Sequence, residues 1–373
     1  VAFRRKGPKI VVSGYYGFDN CGDEALLLAI IHCLRKLRPD ARIVVLSGNP
    51  AKTAAVYGVR AVDRWKPLSV AMELLTCRLL ISGGGSLIQD VTSARSPKYY
   101  LAVILSAALM GKKVMLYGQG VGPLADPGNR KWAARILKRC HEIAVRDARS
   151  AELLKELGVE RDIQVACDPV MALSYEDVNR EEIRKELQEM NILDDSGRKR
   201  KPLLLVAMRS WKDNRHMAPV AELLDAQARM GWDVLLVPAF FPADMEAVNE
   251  IGNRMTERLY CLGQCLSAGQ FLALTAYADR VFSMRLHGLI SAMAMGAPML
   301  GLSYDPKVDA FMEQAGLERY CLSYEDFDWE TAVYLMEEME ASPLESRQEQ
   351  ERRRLEMQGQ AWDMAERAVG LLS

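Results

Sequence analysis

The sequence predicts an α/β protein built as two parallel-sheet domains, and three observations predict it. Short runs rich in Val, Ile and Leu recur along the 373 residues. Glycine-rich turns and helical stretches separate those runs. The alternation breaks off in a charged segment near residue 175 and then begins again. Apolar strands that alternate with helices belong to parallel sheets covered on both faces.

Ile10, Val11, Val12 and Ser13 form a strand that turns at Gly14. Residues 23–38 read as a helix, with Asp23 as its N-cap before an apolar-periodic stretch. Residues 42–47 are the next strand, and 79–82 another, ending at Gly83, Gly84 and Gly85. A helix over 99–110, a strand over 113–117, a helix over 131–139, a strand over 142–145 and a helix over 150–157 continue the pattern. Residues 175–201 read as a surface helix and an exposed linker, because they are charged and end in Arg198, Lys199, Arg200 and Lys201. Strands over 203–208, 233–238, 280–283 and 299–303 then alternate with helices over 218–230, 244–256, 267–277 and 289–295. The boundaries are therefore an N-terminal domain over 1–174, the linker over 175–201, a C-terminal domain over 202–345 and a helical segment over 346–373. Two Rossmann-like domains in a GT-B-like arrangement, as in many glycosyltransferases, suit this pattern. They would hold ligands in an interdomain cleft at the carboxyl ends of their strands.

Composition narrows the function. Lys and Arg number 48 and Asp and Glu 49, a net charge of −1, which argues against nucleic acid as the main partner. The eight cysteines form no Cys-x-x-Cys pair, and no His or Cys cluster accompanies Cys261 and Cys265. They read as reduced thiols of a cytoplasmic protein. The chain opens with no secretory signal, and Val1 in place of methionine implies residues removed or replaced upstream. The apolar stretch 99–110 falls short of the roughly 20 residues that a bilayer requires.

Several motifs stand at the ends of the strands. Gly14 to Ala25 reads GYYGFDNCGDEA, and Ser82 to Ser86 reads SGGGS with Asp90 after it. Gly118 to Pro123 reads GQGVGP, followed by Arg146 and Asp147 with Ser150, and by Asp168 and Pro169. The second half adds Met208 and Arg209, then Ser283 to Gly288 (SMRLHG), then Tyr304, Asp305, Pro306 and Lys307. Each glycine-rich turn is weak alone. The ordered set resembles the polysaccharide pyruvyl transferase family over residues ~10 to ~310, most closely its CsaB-type branch, which pyruvylates bacterial cell-wall polymers such as those that anchor S-layers.

The resemblance implies a chemistry. Phosphoenolpyruvate would be the donor, with no further cofactor. Its carboxylate and phosphate call for cations, and its methylene carbon for a proton donor. Of the four histidines, only His287 follows an arginine at a strand end and opens a helix, where an anion meets free N–H groups. By resemblance His287 is the general acid, and Arg209, Arg285, Leu286 and Lys307 bind the donor. The plainer readings are a capping histidine, a surface arginine and a solvated loop lysine, and for Lys307 the two stand level. Tyr16, Asp19, Asn20, Gly84 and Gly85 are the acceptor-side candidates, although tight turning also explains the glycines. Arg146 and Asp147 read as a structural pair. No Asp-x-Asp motif is present, which points to a site without metal.

The acceptor implied is N-acetylmannosamine of a lipid-linked precursor, carrying a 4,6-type pyruvate ketal after reaction. Such an acceptor would bring a cytoplasmic enzyme to the inner face of the plasma membrane. The basic amphipathic stretch 129–140 offers a peripheral contact there, against the slightly preferred reading of an ordinary outer helix. Two rivals stay open: a GT-B nucleotide-sugar glycosyltransferase or epimerase, and a non-catalytic sugar-binding module.

Overall fold

The computed structural model describes residues 7–91, 93, 95–341 and 344–373. The chain divides into two compact units, one of residues 1–172 with 357–373 and one of residues 173–356.

In the first unit β1 (Lys9–Ser13), α1 (Cys21–Leu37), β2 (Arg42–Ser47), α2 (Pro50–Tyr57), β3 (Arg60–Asp63) and α3 (Pro67–Thr76) come first. They lead to β4 (Leu79–Gly83), α4 (Ser96–Leu109), β5 (Lys113–Gln119), α5 (Pro127–Leu137), β6 (Glu142–Val145), α6 (Ala148–Glu156) and β7 (Ile163–Val165). The seven strands form one parallel sheet in the order β3-β2-β1-β4-β5-β6-β7. The order reverses between β1 and β4, where a doubly wound sheet opens a crevice for ligands. β4 is buried along its whole length, as expected of a strand covered on both faces. Leu80, Leu101, Val114, Leu116 and Ile136 belong to one hydrophobic core, in which truncating a leucine costs about 2–5 kcal/mol.

Helix α1 begins two residues earlier than its periodicity predicts. Its N-cap is Asn20, whose Oδ1 accepts from Gly22 N at 3.1 Å, and not Asp23, which is buried inside the first turn. Asp23 and Glu24 in the first turn and Arg35 and Lys36 in the last complement the helix dipole. Elements α2, β3 and α3 fill a stretch in which the sequence shows no clear alternation. Pro50 and Pro67 each sit at the start of their helix, where a missing N–H costs nothing.

The second unit holds α7 (Glu181–Glu189), β8 (Leu203–Ala207), α8 (Met217–Arg229), β9 (Asp233–Leu236), α9 (Met245–Arg254), β10 (Tyr260–Cys261) and α10 (Ala268–Thr275). After these come β11 (Arg280–Ser283), α11 (Leu286–Met295), β12 (Met299–Ser303), α12 (Pro306–Ala315), β13 (Cys321–Ser323), α13 (Trp329–Ala341) and the start of α14 (Leu344–Gly370). Its six strands are parallel in the order β10-β9-β8-β11-β12-β13, with the reversal between β8 and β11.

The charged stretch before β8 is anchored in this unit. Ile183, Leu187, Ile192 and Leu193 are buried, and Gln270 donates to Glu182 at 2.9 Å. Counting surface charges hides these four inward positions. From Met357 on, α14 belongs to the first unit. There Ala361, Met364, Ala365 and Ala368 are buried, and Trp362 meets His32 edge-on with ring centroids 5.9 Å apart. Among the described residues no helix is long and apolar enough to cross a membrane.

Candidate functional site

The second unit gathers the cationic candidates. β8, β11 and β12 are adjacent, with Ala207 in register with Ser283 and Ser283 with Gly301. Arg209 follows β8, Arg285 and His287 follow β11, and Lys307 follows β12, so all four stand at the carboxyl ends of three neighbouring strands.

Arg209 is half-buried against aromatic rings. Its guanidinium carbon lies 5.1 Å from the Trp211 ring centre and 4.9 Å from that of Tyr304, and its Nη1 donates to the Tyr304 hydroxyl at 3.0 Å. Arg209 pairs with no carboxylate among the described residues. Its backbone is pinned from behind. His216, buried at the start of α8, donates from Nε2 to the Arg209 carbonyl at 3.0 Å. Burial holds the pKa of that imidazole below its ordinary value, with the carbonyl contact and nearby carboxylates opposing. The ring therefore stays neutral at pH 7 and acts as a strut.

Arg285 is the N-cap of α11 and is already paired. Its Nε donates to Asp244 Oδ2 at 3.0 Å, and its Nη2 bonds Asp244 Oδ1. Asp244 is buried and also accepts from Phe240 N at 2.9 Å. Leu286 and His287 are the first two residues of α11, where the helix offers N–H groups and the positive end of its dipole. The β11–α11 turn is closed by Ser283, whose Oγ accepts from Arg285 N at 3.0 Å. A Cβ at Gly288 would meet that same Oγ at 2.4 Å. Lys307 is exposed, 3.4 Å from Asp305 in the first turn of α12.

The acceptor-side candidates in the first unit differ among themselves. Tyr16 does not reach solvent: it is fully buried, and its hydroxyl donates to the Gly83 carbonyl at 2.7 Å. Burial, with Asp23 and Glu24 nearby, pushes its pKa well up. Tyr16 therefore supports the Gly83–Gly85 turn and is corrected from a ligand contact to a structural one. Asp19 is exposed in the left-handed region at φ 58° and bonds Lys52 Nζ at 2.7 Å. Asn20 spends its Oδ1 on the cap of α1.

Gly84 and Gly85 have φ of 69° and 70°, and added Cβ atoms would lie 2.7 Å from Leu26 and from Asp23 Oδ1. These conformations require glycine whether or not a ligand is near.

The structure also assembles polar groups that the motifs alone did not single out. Ser13, Ser82 and Gln119 are buried at or near the ends of β1, β4 and β5. Ser13 Oγ, Ser82 Oγ and both Gln119 amide atoms make no hydrogen bond among the described residues. Unsatisfied buried polar atoms beside a crevice are where water or a ligand is held. Arg146 lies beside them, donating from Nη2 to Ser86 Oγ at 2.9 Å, 3.6 Å from Asp147 and 3.9 Å from Asp168. Burial raises the Asp168 carboxyl to about 6 despite Arg146. Asp147 accepts from Ser150 N and caps α6, in keeping with a structural pair. A groove of about 520 Å³ lined by Lys9, Arg35, Arg42 and Glu73 lies instead at the opposite, amino-terminal ends of the strands.

Solved structures show which fold this is. A glycosyltransferase from Rickettsia africae superposes with a TM-score of 0.65 at 12% identity, over 98% of each chain. UDP-GlcNAc 2-epimerase from Neisseria meningitidis, bound to UDP-GlcNAc, does so at 0.64 and 11% identity, over 97% of this chain and 99% of that one. A putative UDP-N-acetylglucosamine 2-epimerase from Listeria monocytogenes gives 0.60 and 14%, over 97% and 95%. At such identities the likeness is one of fold, that of GT-B-type glycosyltransferases and epimerases. No curated protein matches the sequence. The family profile described as polysaccharide pyruvyl transferase matches residues 20–306, three-quarters of the chain and most of the strand-end motifs, and the chain belongs to that family.

Proposed function

We propose that this pyruvyl transferase takes its pyruvyl group from phosphoenolpyruvate and forms a 4,6-type ketal on N-acetylmannosamine of a lipid-linked cell-wall precursor, as the CsaB-type branch does. The observation that carries the donor half is the cationic end of the second sheet. Arg209, free of any carboxylate among the described residues, stands at neighbouring strand ends with His287 and Lys307. A dianionic phosphate and a carboxylate need such a place.

Arg209 takes one anion of the donor, and the α11 terminus with Arg285 and Leu286 takes the other. Lys307 offsets charge on the departing phosphate. His287, protonated, gives its proton to the methylene carbon, which becomes a methyl group, and cationic character builds on the adjacent carbon. A sugar hydroxyl bonds to that carbon and loses its proton, restoring the imidazolium. The carbon–oxygen bond to phosphate breaks, the electron pair leaves with phosphate, and the second hydroxyl closes the ketal, its proton going to phosphate. The reaction consumes one phosphoenolpyruvate and one diol and yields one ketal and one phosphate. On the acceptor side, Asp19 and Asn20 with the Gly84–Gly85 backbone offer hydrogen-bonding groups at the first unit's strand ends.

The test is phosphate release from phosphoenolpyruvate with a panel of aryl-tagged and lipid-linked amino sugars. Turnover with an N-acetylmannosamine acceptor is expected, and stabilisation by phosphoenolpyruvate but not by UDP-sugars. Stabilisation by a UDP-sugar alone would move the chain to the nucleotide-sugar enzymes whose fold it shares. Donor binding with no phosphate released on any acceptor would make it a binding module.

A further inference from the structure

The first unit carries a surface that the reaction leaves unexplained. Helices α3, α4 and α5 lie on one face of its sheet. Each follows a right-handed crossover in the same direction across the sheet, and α4 packs between the other two. The inner sides of all three join one core, to which Val70, Leu74, Ile104 and Ile136 belong. Their outer sides are apolar as well. Leu68 is 83% exposed, Met72 61% and Leu75 51%, a stripe at i, i+4 and i+7 along α3. Trp65 before α3, Leu109 at the end of α4 and Trp132 on α5 are exposed as well. Trp65 is held in place: its ring centre is 5.5 Å from that of Tyr99, and the buried Arg64 lies 5.1 Å from it.

The segment that carries this surface is basic, although Asp63 precedes Trp65 and Glu156 of α6 pairs with Arg130 at 3.3 Å. Residues 64–139 hold twelve Lys and Arg against three Asp and Glu, a net +9 within a chain whose total is −1. None of the three acids opposes the surface. Glu73 is buried between Lys9 and Arg60, Asp90 accepts from Ala125 N and Asp126 N, and Asp126 caps α5. Within the helices themselves Glu73 is the sole acidic residue, whereas Lys66, Lys98, Lys131 and Arg135 point to solvent.

We infer that the outer face of α3–α5 docks on an anionic phospholipid bilayer. Exposed tryptophans and aliphatic side chains on helices that carry Lys66, Lys98, Lys131 and Arg135 fit a headgroup layer in two ways. The apolar groups enter the acyl boundary and the cations stay among the phosphates. A second copy of the chain would bring the same basic surface against itself, which charge opposes. The inference rests on this surface alone and not on the donor chemistry.

The experiment is co-sedimentation of the full chain with vesicles of phosphatidylglycerol and phosphatidylcholine in equal parts, and with phosphatidylcholine alone. Binding is expected to be about tenfold stronger to the anionic vesicles and to weaken as salt is raised. The L68E/M72E variant should lose binding by about tenfold or more and keep its Tm, because both side chains are exposed. Y334E, an exposed tyrosine of the second unit, should bind as the unaltered chain does. Phosphate release with a water-soluble acceptor should be the same in L68E/M72E and the unaltered protein, which separates this surface from the active site. Equal binding by L68E/M72E and the unaltered chain would overturn the assignment. So would a dimer in sedimentation velocity that L68E/M72E dissolves, with no vesicle binding by either; a second copy would then be the occupant.

Discussion

At the ends of β1, β4 and β5 the first unit buries neutral polar groups around glycines; Arg146 there sits between two carboxylates, and Arg64 is buried with its Nη1 donating to the Gly14 carbonyl at 2.9 Å. At the ends of β8, β11 and β12 the second unit presents cations, and Arg209 has no carboxylate among the described residues. Both sites occupy the reversal point of a doubly wound sheet, so the fold does not explain the difference. What the difference teaches is that one scaffold can present cations at one set of strand ends and buried neutral polar groups at another by changing a few residues past those ends. The contrast runs within the cationic site too, because Asp244 already neutralises Arg285 whereas Arg209 pairs with no carboxylate among the described residues and donates to the Tyr304 hydroxyl.

The sharpest way to break the comparison is at His287. H287A should lower turnover by about 10²–10⁴-fold while the dissociation constant for phosphoenolpyruvate changes little, read by phosphate release and by calorimetry. Near-normal turnover would remove the proton donor from the second sheet. Arg209 and Arg285 should separate next. R209A is expected to weaken donor binding by about 10–100-fold with a small effect on Tm. R285A leaves a buried Asp244 unpaired and should destabilise the protein by about 3–5 kcal/mol, with the smaller loss of donor affinity. The reverse ranking would show that Asp244 orients Arg285 more than it neutralises it.

On the other side of the comparison, G84A should destabilise the protein by about 1–3 kcal/mol in thermal unfolding, because φ is 69° and Leu26 occupies the space of a Cβ. The last effect is a pH dependence. Asp168 has a folded pKa of about 6 against 3.8 for its ordinary value, so the folded state binds its proton more tightly. Its contribution to stability is therefore greatest below pH 4 and falls as pH rises to 6. D168N lacks that loss, so its Tm advantage should open between pH 4 and pH 6 and stay level above.

Where strands were buried beyond their first residue, the fold was legible: β1, β2, β4, β5, β8 and β12 are largely apolar runs, and each lies where the alternation expects it. The region between β2 and β4 was not. β3 has four residues with no fully buried position, and α3 is apolar on both faces, so neither shows a period of 2 or 3.6. The apolar outer face that hid α3 from periodicity is the one assigned to a bilayer.

The cations of the second site were legible because each follows a strand directly. Their partners were not. Asp244 lies 41 residues before Arg285 and Tyr304 lies 95 after Arg209, and no spacing rule joins them. Tyr16 misled for a related reason: a tyrosine in a motif loop resembles a ligand contact until packing shows that its hydroxyl closes the turn.

The division of α14 has a consequence for biosynthesis. The first unit is finished only by residues beyond Met357, whose Ala361, Met364 and Ala368 cover its apolar surface, whereas the second unit is one unbroken stretch. On the ribosome, therefore, the N-terminal sheet emerges first yet must wait, with an uncovered flank, until the later-made unit has already left the exit tunnel. Nascent chains stalled before Met357 should be the ones that chaperones retain.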